Sequence, residues 1–187
     1  MTLKEELFKF FAVKDQVYSP VDEVITDTKF VAPLYKDIRP FYGDAVADAS
    51  NQVVFVSPVP MCIAWNVNHY VGNFLCHSKV AESLYNILVD LKYTYGIEQL
   101  EKLGVNVFGG CYNYQRVRNG NRFCTHSWGI ALSLNPQKNR YDDDVTKALF
   151  AKPEYKQLID TFYKYGWFNE GVELGKNFGH FQAVRYK

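Results

Sequence analysis

The chain has 187 residues, which is enough for one globular domain with a core and too few for two domains of ordinary size. Hydrophobic residues make up 48% and charged residues 22% of the sequence, a balance that excludes a wholly disordered chain. The formal net charge of +1 offers no general attraction to nucleic acid or to an acidic membrane surface.

The first residues do not have the pattern of a secretory signal peptide, because Glu5 and Glu6 interrupt them. No apolar run approaches the roughly 18 residues that a membrane span needs. We therefore expect synthesis in the cytoplasm, no membrane attachment and reduced cysteines.

Residues 1–50 are predicted to be an appendage consisting of an N-terminal helix and an extended arm. Apolar residues recur at helical spacing in the first turns, whereas prolines interrupt the arm. The helical positions are Leu3, Leu7, Phe10 and Phe11, and the prolines are Pro20, Pro33 and Pro40. Residues 51–187 are predicted to form the main domain.

Strands and helices alternate in the main domain without a repeat or a flexible linker, which predicts the α+β class. Pro58 and Pro60 are expected to force a turn between two short strands. The predicted elements in chain order are strands at 53–56 and 61–65, helices at 78–95 and 97–103, strands at 105–115 and 127–134, a helix from Pro153 to Gly166, and a strand at 180–186.

Two histidines lie at the ends of predicted neighbouring strands. His126 precedes the strand at 127–134, whose small residues leave room for a ligand, and His180 begins the last strand. The fold could bring both imidazoles onto one metal ion. His77 is interpreted as a cap or packing residue, and His69 as part of a polar loop.

The segments CTHSWGIALS (residues 124–133) and NFGH (residues 177–180) closely resemble the signature of the M15 family of zinc peptidases. The family includes D-alanyl-D-alanine carboxypeptidases and L-alanyl-D-glutamate endopeptidases, among them many phage endolysins. The resemblance extends through CHSKVAESLYNIL, FGGCYNYQRVRNG and FAKPEYKQLIDTFYKYGWF, and it covers roughly residues 50–186. It is strongest toward the phage branch.

This resemblance implies a small antiparallel sheet with packed helices, the M15 (hedgehog-like) fold. It implies that His126 and His180 are zinc ligands, and that Arg116 or Arg118 holds a peptide carboxylate or carbonyl through forked hydrogen bonds. Trp128 matches an aromatic residue that shapes the site wall. Without the resemblance, a solvated turn explains the arginines equally well, and core packing explains Trp128.

Two family carboxylates are replaced in this sequence. Ser133 stands where the family has its Asp zinc ligand, and Asn177 stands where the family has its Asp or Glu general base. A neutral hydroxyl is a poor zinc ligand, and an amide cannot transfer a proton near neutral pH. We therefore expect weak or absent zinc and a non-catalytic binding or structural protein of viral origin, located in the host cytoplasm or the virion. Its expected partner is a peptidoglycan peptide or another protein.

The alternative is an active zinc carboxypeptidase or endopeptidase that cleaves peptidoglycan stem peptides with a rearranged metal site. Cys124 could replace the lost ligand, because residues two apart on a strand project to the same face. A carboxylate from Asp142–Asp144 could also enter the site, and Glu170 or Glu173 could substitute for the lost base. A solvated loop is the simpler interpretation of the three aspartates.

Overall fold

The computed structural model describes residues 17–20, 30–118 and 120–187, so the predicted N-terminal helix lies outside the described residues. Within the described part, the chain has the mixed α+β architecture that the alternation of elements predicts. The helices are α1 (Ile38–Tyr42), α2 (Ala81–Tyr95), α3 (Ile97–Lys102), α4 (Lys156–Lys164) and α5 (Glu170–Leu174). The strands are β1 (Val17–Tyr18), β2 (Gln52–Ile63), β3 (Asn66–His77), β4 (Val107–Gly110), β5 (Ala131–Leu134), β6 (Phe168–Asn169) and β7 (His180–Gln182).

These strands form one seven-stranded, mostly antiparallel sheet of the described residues. Its order is β3–β2–β4–β5–β7–β6, with β1 also paired to β2. The β1–β2 and β2–β4 pairs are parallel, and the other pairs are antiparallel. In the β5–β7 register, Ser133 lies opposite His180, so the strand pairing itself joins two of the predicted site positions.

The β2–β3 hairpin corrects two predictions. Pro58 and Pro60 do not separate two strands but lie within β2, where the register with β3 shifts between Val56 and Met61. Prolines are tolerated at such irregularities because the ladder there already lacks regular hydrogen bonds. His69 is on β3 and not in a loop, because the polar run that begins at Asn66 is an exposed strand.

The core lies between the sheet and the helices. The helix predicted at 78–95 buries one apolar face through Leu84, Ile87, Leu88 and Leu91. In α4, Phe162 packs against Phe181 of β7 with ring centroids 3.9 Å apart. A 3₁₀ turn at Ser78–Val80 leads into α2, and the imidazole of His77 caps it by accepting a hydrogen bond from the Lys79 N–H. The predicted capping or packing role of His77 is therefore confirmed.

The predicted strand at 127–134 is wrong in its first half. Thr125–Trp128 form a 3₁₀ turn, and only Ala131–Leu134 are extended. Gly129 ends the turn at φ +65°, where a Cβ would lie 1.9 Å from Oε1 of Gln52. This compact, glycine-dependent turn places the side chain of His126 at the sheet.

Part of the predicted extended arm is helical and packs on the main domain. A 3₁₀ turn at Tyr35–Asp37 leads into α1. Pro40 fits because it lies in the first turn of α1, where backbone N–H groups have no partner within the helix. The hydroxyl of Tyr42 donates to the carbonyl of Ala183 at 2.6 Å. No helix in residues 17–20, 30–118 and 120–187 is long and apolar enough to cross a membrane.

Candidate functional site

Three of the positions singled out by the sequence motif meet at the β5–β7 pair. His126 comes from the 3₁₀ turn, Ser133 from β5 and His180 from β7. The two imidazoles are buried and nearly perpendicular, with ring centroids 4.9 Å apart. The Oγ of Ser133 lies 3.0 Å from Nε2 of His126.

The hydrogen bonds of His126 define its tautomer. Its Nδ1 lies 2.6 Å from the carbonyl oxygen of Cys111, which can only accept, so Nδ1 carries the proton. Burial and, to a smaller extent, proximity to His180 together lower the pKa of His126 to about 3, so the ring is neutral at pH 7. Nε2 is therefore an acceptor, and the hydroxyl of Ser133 donates to it.

His180 has the opposite tautomer. Its Nε2 faces Oε1 of Gln182 at 3.3 Å and Oγ1 of Thr125 at 3.1 Å. The Thr125 hydroxyl itself donates to Oε1 of Gln182, so Nε2 of His180 is the donor in this triangle. Burial lowers the pKa of His180 to about 4, which keeps this ring neutral as well. Hydrogen bonds to neutral protein groups thus engage Nε2 of both histidines.

Asn177 brings a carboxylate beside the histidines, although it has none itself. Its backbone is left-handed, at φ +62°, and its Nδ2 donates to Oε2 of Glu170 at 2.7 Å. The hydroxyl of Tyr186 donates to Oε1 of the same carboxylate at 3.0 Å. Oε2 of Glu170 lies 4.0 Å from Nε2 of His180. Glu173 lies elsewhere and accepts a hydrogen bond from the Tyr163 hydroxyl at 2.7 Å.

A cavity of about 520 Å³ opens onto this cluster. The lining residues include both histidines, Ser133, Asn177 and Glu170. Arginines add positive charge to the same cavity, and each guanidinium stacks on an aromatic ring. The stacked pairs are Arg116 on Phe123, Arg118 on Tyr141 and Arg122 on Tyr35.

Both arginines predicted from the motif therefore line the cavity. Arg116 also donates to the carbonyl of Asn121, and Arg118 forms an exposed ion pair with Asp142 at 3.5 Å. Asp142 thus approaches the rim of the cavity through Arg118, whereas Asp143 and Asp144 accept hydrogen bonds from nearby loop residues.

A second cavity, of about 450 Å³, lies on the other side of Ser133. It shares Gln115, His126 and Ser133 with the first cavity, and apolar side chains, among them Trp65, Phe74 and Phe108, line much of the rest. Ser133 is therefore at the junction of a cationic and an apolar compartment.

Cys124 and Trp128 do not lie where their predicted roles, a replacement zinc ligand and a wall of the site, require them. Cys124 lines the first cavity, but the strand geometry that would have aligned it with His126 is absent, and its thiol lies 4.0 Å from Oγ of Ser127. Trp128 is buried in the core, and its indole N–H donates to the carbonyl of Gly43 at 2.8 Å. It borders a separate, smaller cavity and is not among the described residues that line either cavity at the histidines.

The donor set at the histidines differs from the usual zinc set. No group of three or more His, Cys, Asp or Glu side chains in the described part of the chain is arranged to hold a metal ion. A catalytic zinc site normally has three protein ligands, whereas the group that faces His126 here is a neutral hydroxyl that already donates to Nε2.

No protein-family model matches the chain, and no curated protein and no solved structure was found to be similar to it.

Proposed function

We propose that this chain is an M15 peptidase-like protein of viral origin whose zinc centre is degraded, and that its cleft binds a peptide without zinc-dependent hydrolysis. The hydrogen bond from Ser133 to His126 carries the proposal. The motif positions His126, Ser133 and His180 come together, yet the group that faces Nε2 of His126 is an uncharged donor. A cation placed there would have to compete with this hydrogen bond and would gain no anionic ligand from position 133.

The cleft supports a carboxylate-bearing peptide as the ligand, such as a peptidoglycan stem peptide or an acidic segment of a protein. Arginines outnumber carboxylates among the described lining residues. The aromatic rings that stack on the guanidinium groups hold them in place and leave N–H donors for a forked contact with a carboxylate.

Peptide binding and peptide cleavage can be measured separately. We expect a fluorescent stem peptide to bind the native chain, and Arg118→Gln to weaken that binding about tenfold, the equivalent of about 1.4 kcal/mol. Arg140→Gln is the matched control, because Arg140 is exposed and lies outside the lining of the cavity. Equal binding by both variants would contradict the assignment of the cleft.

The cleavage assay uses purified peptidoglycan and protein incubated with zinc. We expect the release of new amino groups to be no greater than with His126→Ala. Release clearly above that control would show that zinc-dependent peptidase activity survives, and the degraded-centre proposal would be wrong.

One observation favours the alternative of an active, rearranged zinc peptidase. Glu170 brings a carboxylate to 4.0 Å from Nε2 of His180, where the sequence motif has lost its own acid. The alternative predicts one zinc per chain in protein purified without added metal, lost in His180→Ala. With Glu170 as the substitute base, it also predicts peptide cleavage that is lost in Glu170→Gln and retained in Glu173→Gln. Glu173 is the matched control because its carboxylate binds Tyr163 outside the cavity.

A further inference from the structure

Ser133 and His126 have the geometry of a nucleophile and its general base. The serine Oγ lies 3.0 Å from Nε2 of His126, within the distance needed for proton transfer. The other ring nitrogen donates to the carbonyl of Cys111 at 2.6 Å, which fixes both the orientation and the tautomer of the imidazole. A nucleophile, a base and a third group that orients the base are the elements of nucleophilic catalysis by serine.

The surroundings of Ser133 give a substrate access from both sides. Ser133 is only partly buried and borders both cavities. The apolar cavity, with Trp65, Phe74 and Phe108, suits an uncharged acyl group. The first cavity contains arginines, so a substrate that spans both cavities meets positive charge on that side.

We propose that Ser133 and His126 form a nucleophile–base pair that hydrolyses a carboxylic ester with an apolar acyl group. Nε2 of His126 takes the hydroxyl proton while Oγ of Ser133 bonds to the acyl carbon. The imidazolium returns that proton to the departing alcohol as its C–O bond breaks. A water molecule then attacks the acyl-serine with His126 as base, and this releases the carboxylic acid and restores the hydroxyl.

This inference goes beyond the proposed function and does not depend on the family resemblance. The proposed reaction needs neither a metal ion nor a carboxylate. Ser133, the residue that would weaken a zinc site, is the group that attacks the acyl carbon of the ester. It rests on the contacts of two side chains and one backbone carbonyl and on the two cavities that meet at Ser133.

The test is covalent labelling of the full chain by an alkyl fluorophosphonate, with a metal chelator present throughout, followed by peptide mass spectrometry. We expect one adduct, on the peptide that contains Ser133. The labelling site is found in the unaltered chain, so the test does not depend on the folding of any variant. The chelator separates this result from zinc-dependent peptide cleavage, which tests the proposed function.

Variants then measure the contribution of the base. His126→Gln is expected to slow labelling by at least about tenfold, less than the 10²- to 10⁴-fold contribution of an ordinary general base because burial weakens the basicity of His126. Ser133→Ala is expected to abolish labelling, and the exposed Ser50→Ala is expected to leave it unchanged. Absence of an adduct on Ser133, or an equal rate in a folded His126→Gln variant, would overturn the inference.

Discussion

Replacing Ser133 by Asp would place an anionic oxygen beside His126, on the residue that lies opposite His180 in the β5–β7 register. The Oγ of Ser133 lies 3.0 Å from Nε2 of His126, and Ser133 is the register partner of His180. Loss of a group that merely supports a metal ligand typically costs 10- to 100-fold in affinity. We therefore expect Ser133→Asp to bind Zn²⁺ at least about 100-fold more tightly than the native chain, a gain of about 2.7 kcal/mol.

The same variant is expected to be less stable without metal. Nε2 of His126 is an acceptor, and a carboxylate is an acceptor too, so the native hydrogen bond is lost unless the buried ring takes up a proton. Leaving a buried polar group unsatisfied costs about 1–3 kcal/mol. In the presence of a chelator, we expect Ser133→Asp to have a lower melting temperature than the native chain. Adding zinc should raise the melting temperature of Ser133→Asp more than that of the native chain.

Isothermal titration calorimetry of chelator-stripped protein measures the affinity directly. Ser133→Asn is the matched control, because it has the same size as Ser133→Asp but no charge. If the two variants bind Zn²⁺ equally, the missing negative charge does not explain the expected weakness of this site, and the reasoning fails.

Two further predictions concern stability. The pKa of His126 is lowered to about 3 and that of His180 to about 4, both from 6.5. The unfolded chain therefore binds more protons below about pH 6.5, and the free energy of unfolding should fall with decreasing pH by up to about 1.4 kcal/mol per unit for each ring. Urea titrations from pH 4 to 8 measure this, and a flat profile would contradict it. Gly129→Ala should cost about 2–5 kcal/mol, because it adds left-handed strain to a 1.9 Å approach to Gln52. Gly175→Ala, at φ +78° in open space, should cost only about 1–2 kcal/mol, and equal losses in thermal unfolding would refute the argument.

The meeting of His126, Ser133 and His180 could be predicted from the sequence, because the motif spacing places them near the ends of strands that pair. The exact register could not, since it depends on how β5 and β7 align, and the structure places Ser133 directly opposite His180. The strong apolar periodicity of α2 likewise made that helix predictable.

Other features depend on tertiary contacts that a sequence pattern does not encode. The polar first half of β3 resembles a loop in composition and is a strand only because β2 pairs with it. The sequence of the short 3₁₀ turn before β5 is predicted as a strand because larger and smaller residues alternate from residue 127 to residue 134. Only the left-handed Gly129, in close contact with Gln52, gives a physical reason for the turn.

The position of Glu170 beside the histidines could not be predicted from the sequence. Glu170 is ten positions before His180, too far for a motif, and it begins α5. The side-chain amide of Asn177 and the hydroxyl of Tyr186 donate to its carboxylate and hold it next to the histidines. Asn177 was the only hint in the sequence, because asparagine often adopts a positive φ. Such a residue indicates a turn, but it does not indicate which carboxylate its side chain will contact.

The most direct test of the account is long-range ¹H–¹⁵N NMR of the imidazole side chains at pH 7, before and after one equivalent of Zn²⁺. We expect two neutral rings of opposite tautomer, with the proton on Nδ1 of His126 and on Nε2 of His180, and spectra that zinc leaves unchanged. Loss of the Nε2 proton of His180 together with a zinc-induced shift of Nε2 in both rings would show a functional metal centre, and would contradict the account.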